Sequence, residues 1–195
     1  MTTTHTPLNE TLKQELVAMK EGTIHFPYGA SNELLQMIAD ETDGWTEMRA
    51  RHELMIRKAG RSLVAVPMED ENGELILRNG KPVPEFVYTL GQGRKGLPEV
   101  LCFYPSTTIG HHINRLCTKL EAGEYTDEEG IIKVRGCFDA DEDLEFLLVP
   151  LTGEGRQLAA DKYACQCEDD EPLFLAIAPM PNGTYVQDFI PDGLF

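Results

Sequence analysis

The run Gly91-Gln92-Gly93-Arg94-Lys95-Gly96 fits a G-x-G-x-x-G pattern and follows Glu85-Phe86-Val87-Tyr88-Thr89-Leu90, which has strand character. Glycines at this spacing free backbone N–H groups to face an anion, and Arg94 and Lys95 add positive charge. A dinucleotide site also needs a helix next, so that its N-terminus meets the pyrophosphate. Here Leu97-Pro98-Glu99-Val100 leads into another strand, which argues against a Rossmann site. What remains is an anion nest built from Gly91, Gly93, Arg94 and Lys95 with Tyr88 and Thr89 beside it, or else a flexible strand-to-strand loop. Tyr88 and Thr89 alternate along the strand, so only one is expected to face the core. Glu99 could move a proton or hold a polar ligand, or it could cap the loop through backbone N–H groups.

Other reactive side chains are scattered. His111 and His112 point about 100° apart on a helix, so they do not share a metal as an i,i+4 pair would. His112 lies beside Ile109 and Leu116 as a boundary residue, while His111 faces away with Arg115 and could act as an acid or base if a pocket lies there. Tyr88, Glu99 and His111 are thus the catalytic candidates. Cys165-Gln166-Cys167 is a C-x-C without the second pair that structural zinc needs, and the acids that follow disfavour a thiolate. Asp139 to Glu145 lacks the glycine and the twelfth-position glutamate of a calcium loop. No metal and no cofactor is expected. His52 reads as a core or boundary histidine, and no serine-hydrolase, zinc-protease or P-loop signature occurs.

The elements that must carry these residues begin with helices. Leu12, Leu16, Val17 and Met19 form one helical face, and Leu34, Leu35, Ile38 and Ala39 another with Ser31 as N-cap. A third helix from about Gly44 to Ala59 places Trp45, Met48, His52, Met55 and Ala59 on one stripe. Strands follow at 62–66, 74–77, 85–90 and 100–104, the second between the turn signals Asn72-Gly73 and Asn79-Gly80. A helix over 106–122 carries Ile109, Ile113, Leu116, Cys117 and Leu120 on its apolar side. Strands at 131–134 and 144–149, a helix at 156–164, and strands at 173–178 and 184–186 complete the chain. This order predicts an α+β fold, with N-terminal helices packed on a mixed or antiparallel sheet and two further helices. The expected organisation is a single domain over 1–195, with a helical cap at 1–61 and a sheet-containing body at 62–195.

Composition narrows the partners. The 195 residues include 33 acids against 17 bases, a formal net charge of −16. That balance argues against direct nucleic-acid binding and against an anionic membrane surface. It serves solubility, or it steers the protein toward a basic partner such as a nucleic-acid enzyme. No apolar run is long enough for a transmembrane helix, and the polar first residues lack the apolar stretch of a secretory signal. Five cysteines, an odd number, fit reduced thiols. The expected compartment is the cytoplasm.

Several blocks in the second half occur in a recognisable order: Phe86-Val87-Tyr88-Thr89-Leu90-Gly91, Leu97-Pro98-Glu99-Val100, Leu120-Glu121-Ala122-Gly123-Glu124, Phe146-Leu147-Leu148-Val149-Pro150, and Leu173-Phe174-Leu175 before Pro179 and Asn182-Gly183. Over about residues 84–195 this order resembles family 4262 of the bacterial and phage domains of unknown function. The chain departs from the family pattern at Gln92-Gly93-Arg94-Lys95-Gly96 and at Pro179-Met180-Pro181-Asn182-Gly183, where the family's aspartate is missing. The resemblance implies a phage- or mobile-element-related domain and carries no established activity. The functional expectation is a cytosolic binding protein that sequesters a small anionic, nucleotide-like ligand or blocks a basic partner protein, with homo-oligomerisation left open. The alternative is a hydrolase or transferase acting on a nucleotide-like substrate.

Overall fold

A computed structural model describes residues 10–139, 143–164, 167, 171–180, 182–185 and 188–194. The chain divides into two compact units, Met1–Ser62 and Leu63–Phe195.

The first unit holds α1 (Glu10–Lys20), α2 (Asn32–Glu41) and α3 (Gly44–Ala59). Ser31 caps α2 as its sequence position predicts, accepting the Leu34 N–H at 3.1 Å while its hydroxyl donates to Glu15 of α1 at 2.7 Å. Leu34, Leu35, Ile38, Ala39 and Ala50 form the core here. The stripe expected on α3 is not the buried one: Trp45 and Met55 are 56% and 48% exposed, while Ala50 and Glu53 are buried. The reason is polar. Arg57 pairs with Glu53 at 2.8 Å and reaches back to the carbonyls of Ala30 at 2.8 Å and Tyr28 at 2.9 Å. These bonds turn the Glu53 face toward the segment entering α2, and a helical wheel of apolar residues cannot register that preference. His52 is half-buried with Nδ1 2.8 Å from the Ser62 hydroxyl, and burial holds its pKa below the ordinary imidazole value.

The second unit is built on a seven-stranded sheet of β1 (Ser62–Pro67), β4 (Pro84–Leu90), β5 (Glu99–Cys102), β9 (Leu173–Ile177), β8 (Glu145–Pro150), β7 (Ile131–Arg135) and β6 (Thr126–Glu128), in that spatial order. A separate ribbon pairs β2 (Leu77–Arg78) with β3 (Lys81–Pro82). Strands β5 and β9 run parallel, whereas β4–β5, β9–β8, β8–β7 and β7–β6 are antiparallel. The sheet is therefore mixed and the fold α+β.

Helix α4 (Ile109–Ala122) presents Ile109, Ile113, Leu116, Cys117 and Leu120 to Val87, Val100, Cys102, Val134, Phe146, Leu148 and Ala176 of the sheet. This is the apolar face that its 3.6-residue periodicity predicts. The helix starts at Ile109 rather than at Ser106, because the Ser106 and Thr108 hydroxyls bond each other at 3.0 Å in a preceding turn. Helix α5 (Gly153–Lys162) begins before the expected 156, and its Gly155 lies so close to the Leu194 carbonyl that a Cβ would collide with backbone. Strand β6 escapes a hydrophobic pattern because all three of its residues are exposed. It pairs with β7 through Glu129 and Gly130, both at positive φ of 56° and 87°. Tyr185, expected in a sheet-closing strand, instead makes an isolated bridge to Pro179, and Val186 lies outside the described residues.

Candidate functional site

The glycine-rich segment leaves β4 and returns as β5, so its geometry is set where their ladder stops. Backbone pairing runs through Val87–Cys102 and Tyr88–Leu101. At the next step a side chain takes over: the Val100 N–H donates to Thr89 Oγ1 at 2.8 Å. The Thr89 hydroxyl in turn donates to Glu99 Oε2 at 2.6 Å, and Glu99 Oε1 accepts the Gly93 N–H at 3.0 Å. Thr89 and Glu99 are both fully buried, and the Glu99 N–H donates to the Pro172 carbonyl at 2.8 Å. A buried carboxylate is tolerated where both oxygens receive donors, and both do here.

Between the strands, Gly93–Lys95 forms a 3-10 turn. The N–H groups of Lys95 and Leu97 donate to the Gln92 carbonyl at 2.9 and 3.2 Å, and that of Gly96 to the Gly93 carbonyl at 2.9 Å. Gly91 and Gly96 take positive φ, 94° and 71°, where a side chain would be strained. Gly93 has a different reason to be glycine: a Cβ there would run into the Glu171 carboxylate. The amides of Gly93, Lys95, Gly96 and Leu97 are thus engaged within the chain, and the anion this loop holds is the protein's own Glu99. Arg94 and Lys95 are exposed, with Lys95 Nζ 2.9 Å from Glu121.

Of the residues singled out from sequence, the structure gathers Thr89, Gly93 and Glu99 into one hydrogen-bonded unit. Tyr88 is 3% exposed with its ring stacked 6.4 Å from Phe86, and Thr89 is buried as well. The expectation that only one of the two faces packed protein is corrected, because the sheet is covered on both sides at β4. Val87 packs in the α4 cluster, and on the opposite face Phe86, Phe103 and Tyr163 meet ring to ring at 4.9 to 5.5 Å. His111 belongs to a different place, an exposed cluster in which Asp139 lies 3.6 Å from its Nε2 and also pairs with Arg115. His112 has both ring nitrogens engaged, Nδ1 3.0 Å from the Cys137 carbonyl and Nε2 3.3 Å from the Thr108 hydroxyl. That pairing places the proton on Nδ1, since a carbonyl only accepts.

Sequence reading passed over Gln92, a variable position in the glycine motif. Its side chain is fully buried, and among the described residues neither the amide oxygen nor the amide nitrogen has a hydrogen-bond partner. Only packing could reveal this, because glutamine is ordinarily a surface residue. Cys102, Cys117, Cys137 and Cys167 are buried. Burial raises the pKa of Cys102 and pushes that of Cys137 to about 11, so neither is a thiolate at neutral pH. Cys167 Sγ lies 3.8 Å from the Thr89 carbonyl, whereas Cys165 falls outside the described residues. Among the described residues no three His, Cys, Asp or Glu side chains gather as metal ligands would.

No protein-family model, curated protein or solved structure matches this chain. The resemblance to family 4262 therefore rests on its residue blocks alone. Four of those blocks lie on β4, the approach to β5, β8 and β9, and a fifth closes α4.

Proposed function

We propose that this protein works by binding: it engages a basic partner protein in the cytosol through its acidic surface and blocks it. The observation that carries this reading is the excess of 33 acidic over 17 basic residues, which leaves a net charge of −16 after every base is matched. Much of that excess is displayed. Glu69, Asp70 and Glu71 are all exposed, and so are Asp127 and Glu129 at the other end of the sheet, near Glu121, Glu124 and Glu128, which pair with Lys95, Lys119 and Lys133. A field of one sign steers oppositely charged proteins and speeds their encounter.

The site geometry draws the reading away from catalysis and from a small anion. Glu99 is committed to Thr89 and Gly93, His111 to Asp139, and Lys95 to Glu121. The amides of Gly93, Lys95, Gly96 and Leu97 at the loop bond to the chain itself.

The test is retention of proteins on the immobilised chain at about 0.03 M salt, followed by elution with a rising salt gradient. A basic protein identified in the eluate, and an affinity for it that falls steeply as the Debye length shrinks toward about 8 Å, are expected. Salt-insensitive association, or retention of acidic proteins alone, would overturn the proposal.

A further inference from the structure

The chain between β1 and β4 forms an arm in which every residue from Glu69 to Pro82 is exposed. It is nonetheless built to hold one shape. At its root Met68, Ile76 and Val83 close a ring of backbone bonds: Met68 N–H to the Val83 carbonyl, Val83 N–H to the Ile76 carbonyl, and Ile76 N–H to the Met68 carbonyl, at 2.8 to 2.9 Å. Its first turn is tied by Asp70 Oδ1, which accepts the N–H groups of Asn72 at 2.8 Å and Glu74 at 2.9 Å. Its tip is the Asn79-Gly80 turn of the β2–β3 ribbon, both residues at positive φ. A ribbon of this size is marginal by itself in water, so ordering it has a cost that its own apolar contacts do not offset.

What the arm displays is apolar. Leu75, Ile76 and Leu77 follow one another and are 48%, 37% and 58% exposed. Side chains alternate along an extended ribbon, so Leu75 and Leu77 form an apolar ridge on one face of this braced, solvated arm with Ile76 on the other, and the ridge lacks a core, while single exposed leucines elsewhere need no explanation. The arm carries Glu69, Asp70, Glu71 and Glu74 beside this ridge, against Arg78 and Lys81 at its tip. Charge selects the occupant. Two copies of a chain at −16 repel each other, as an anionic membrane would repel one, whereas a basic protein is drawn in.

We propose that this arm is the contact element for the partner, with Leu75 and Leu77 seating in an apolar cleft of a basic protein and the flanking acids pairing with the cleft's cationic rim. The inference rests on the blocking function proposed above and names the surface that performs it. The backbone ring at the root keeps the ridge pre-ordered, which lowers the entropy lost on docking.

The test places a photoreactive benzoylphenylalanine at Leu77 of the full chain and, as a control, at Ile131, an exposed aliphatic residue on β7. Irradiation in cell extract at low salt is expected to join the Leu77 derivative to a single basic protein, pI above about 9, identified by mass spectrometry, with the Ile131 derivative unjoined. Against that protein once purified, Leu75→Ser with Leu77→Ser should weaken binding at least about tenfold while leaving the melting temperature unchanged, since both residues are exposed. Joining from Ile131 alone, or unchanged affinity of the double variant, would overturn the arm and leave the blocking function standing. A product made only of two copies of this chain would overturn the choice of partner. Absence of any basic protein from both positions and from the salt-gradient experiment would overturn the function itself.

Discussion

Replacing Thr89 by valine keeps the shape of the side chain and removes both of its hydrogen bonds. The Val100 N–H then loses its acceptor, and the buried Glu99 carboxylate loses one of its two donors. Leaving a buried charged group short of a partner costs about 2–3 kcal/mol, so Thr89→Val should lower stability by that amount in chemical denaturation. Thr89→Ser retains the hydroxyl and should recover most of the loss, and a Thr89→Ser variant less stable than Thr89→Val would show that the methyl group matters more than the hydroxyl. The chemistry-bearing types at this site were visible in sequence, as was the option that Glu99 caps the loop. Their use was not, because the same Thr, Glu and Gly can meet a ligand or meet one another, and only distances decide between the two.

At the scale of the elements, helix α4 illustrates what periodicity can reach, and helix α3 what it cannot. The apolar stripe of α4 contacts one sheet face, so spacing alone identifies it. On α3 the buried face contains Glu53, held by Arg57, and burial there follows a hydrogen-bond network that no hydropathy pattern carries. Helix α5 adds a steric rule. Gly155 sits where the C-terminal segment crosses, and Leu194 is 2% exposed against it. Gly155→Ala would favour the isolated helix by roughly 1 kcal/mol on propensity. The collision with the Leu194 backbone outweighs that gain, since overpacking costs about 1–3 kcal/mol. The expected result is a less stable protein by thermal melting, and a more stable one would show that the C-terminal segment yields.

For the whole molecule, charge decides the response to salt. Surface ion pairs such as Lys13–Glu10 and Arg51–Glu47 contribute at most about 0.5 kcal/mol each, and salt weakens them. The uncompensated charge of −16 works in the other direction, because self-repulsion opposes the compact state and salt relieves it. Raising sodium chloride from about 0.01 M to about 0.15 M shortens the screening length from about 30 Å to about 8 Å. The melting temperature should therefore rise, by about 2–4 °C if the relief is about 1 kcal/mol. A fall would mean that the ion pairs outweigh the net charge. The same salt range weakens attraction to a basic partner, so stability and binding are expected to move in opposite directions.

What the sequence determined by itself was set by local rules and by sums. The helix cap at Ser31, the apolar face of α4, the glycine turns, the α+β order of elements and the acidic excess all depend on neighbours in the chain or on counting. Only the tertiary structure could decide the rest. Glu99 meets Gly93 and Thr89 because two strands bring them together, Gln92 is buried because packing closes over it, and β6 exists through pairing and not through apolar residues. The arm from Glu69 to Pro82 makes the same point in reverse. A hairpin strand is expected at 74–77, whereas the strand formed is Leu77–Arg78, paired with Lys81–Pro82 in a ribbon separate from the seven-stranded sheet, where its aliphatic side chains stay exposed.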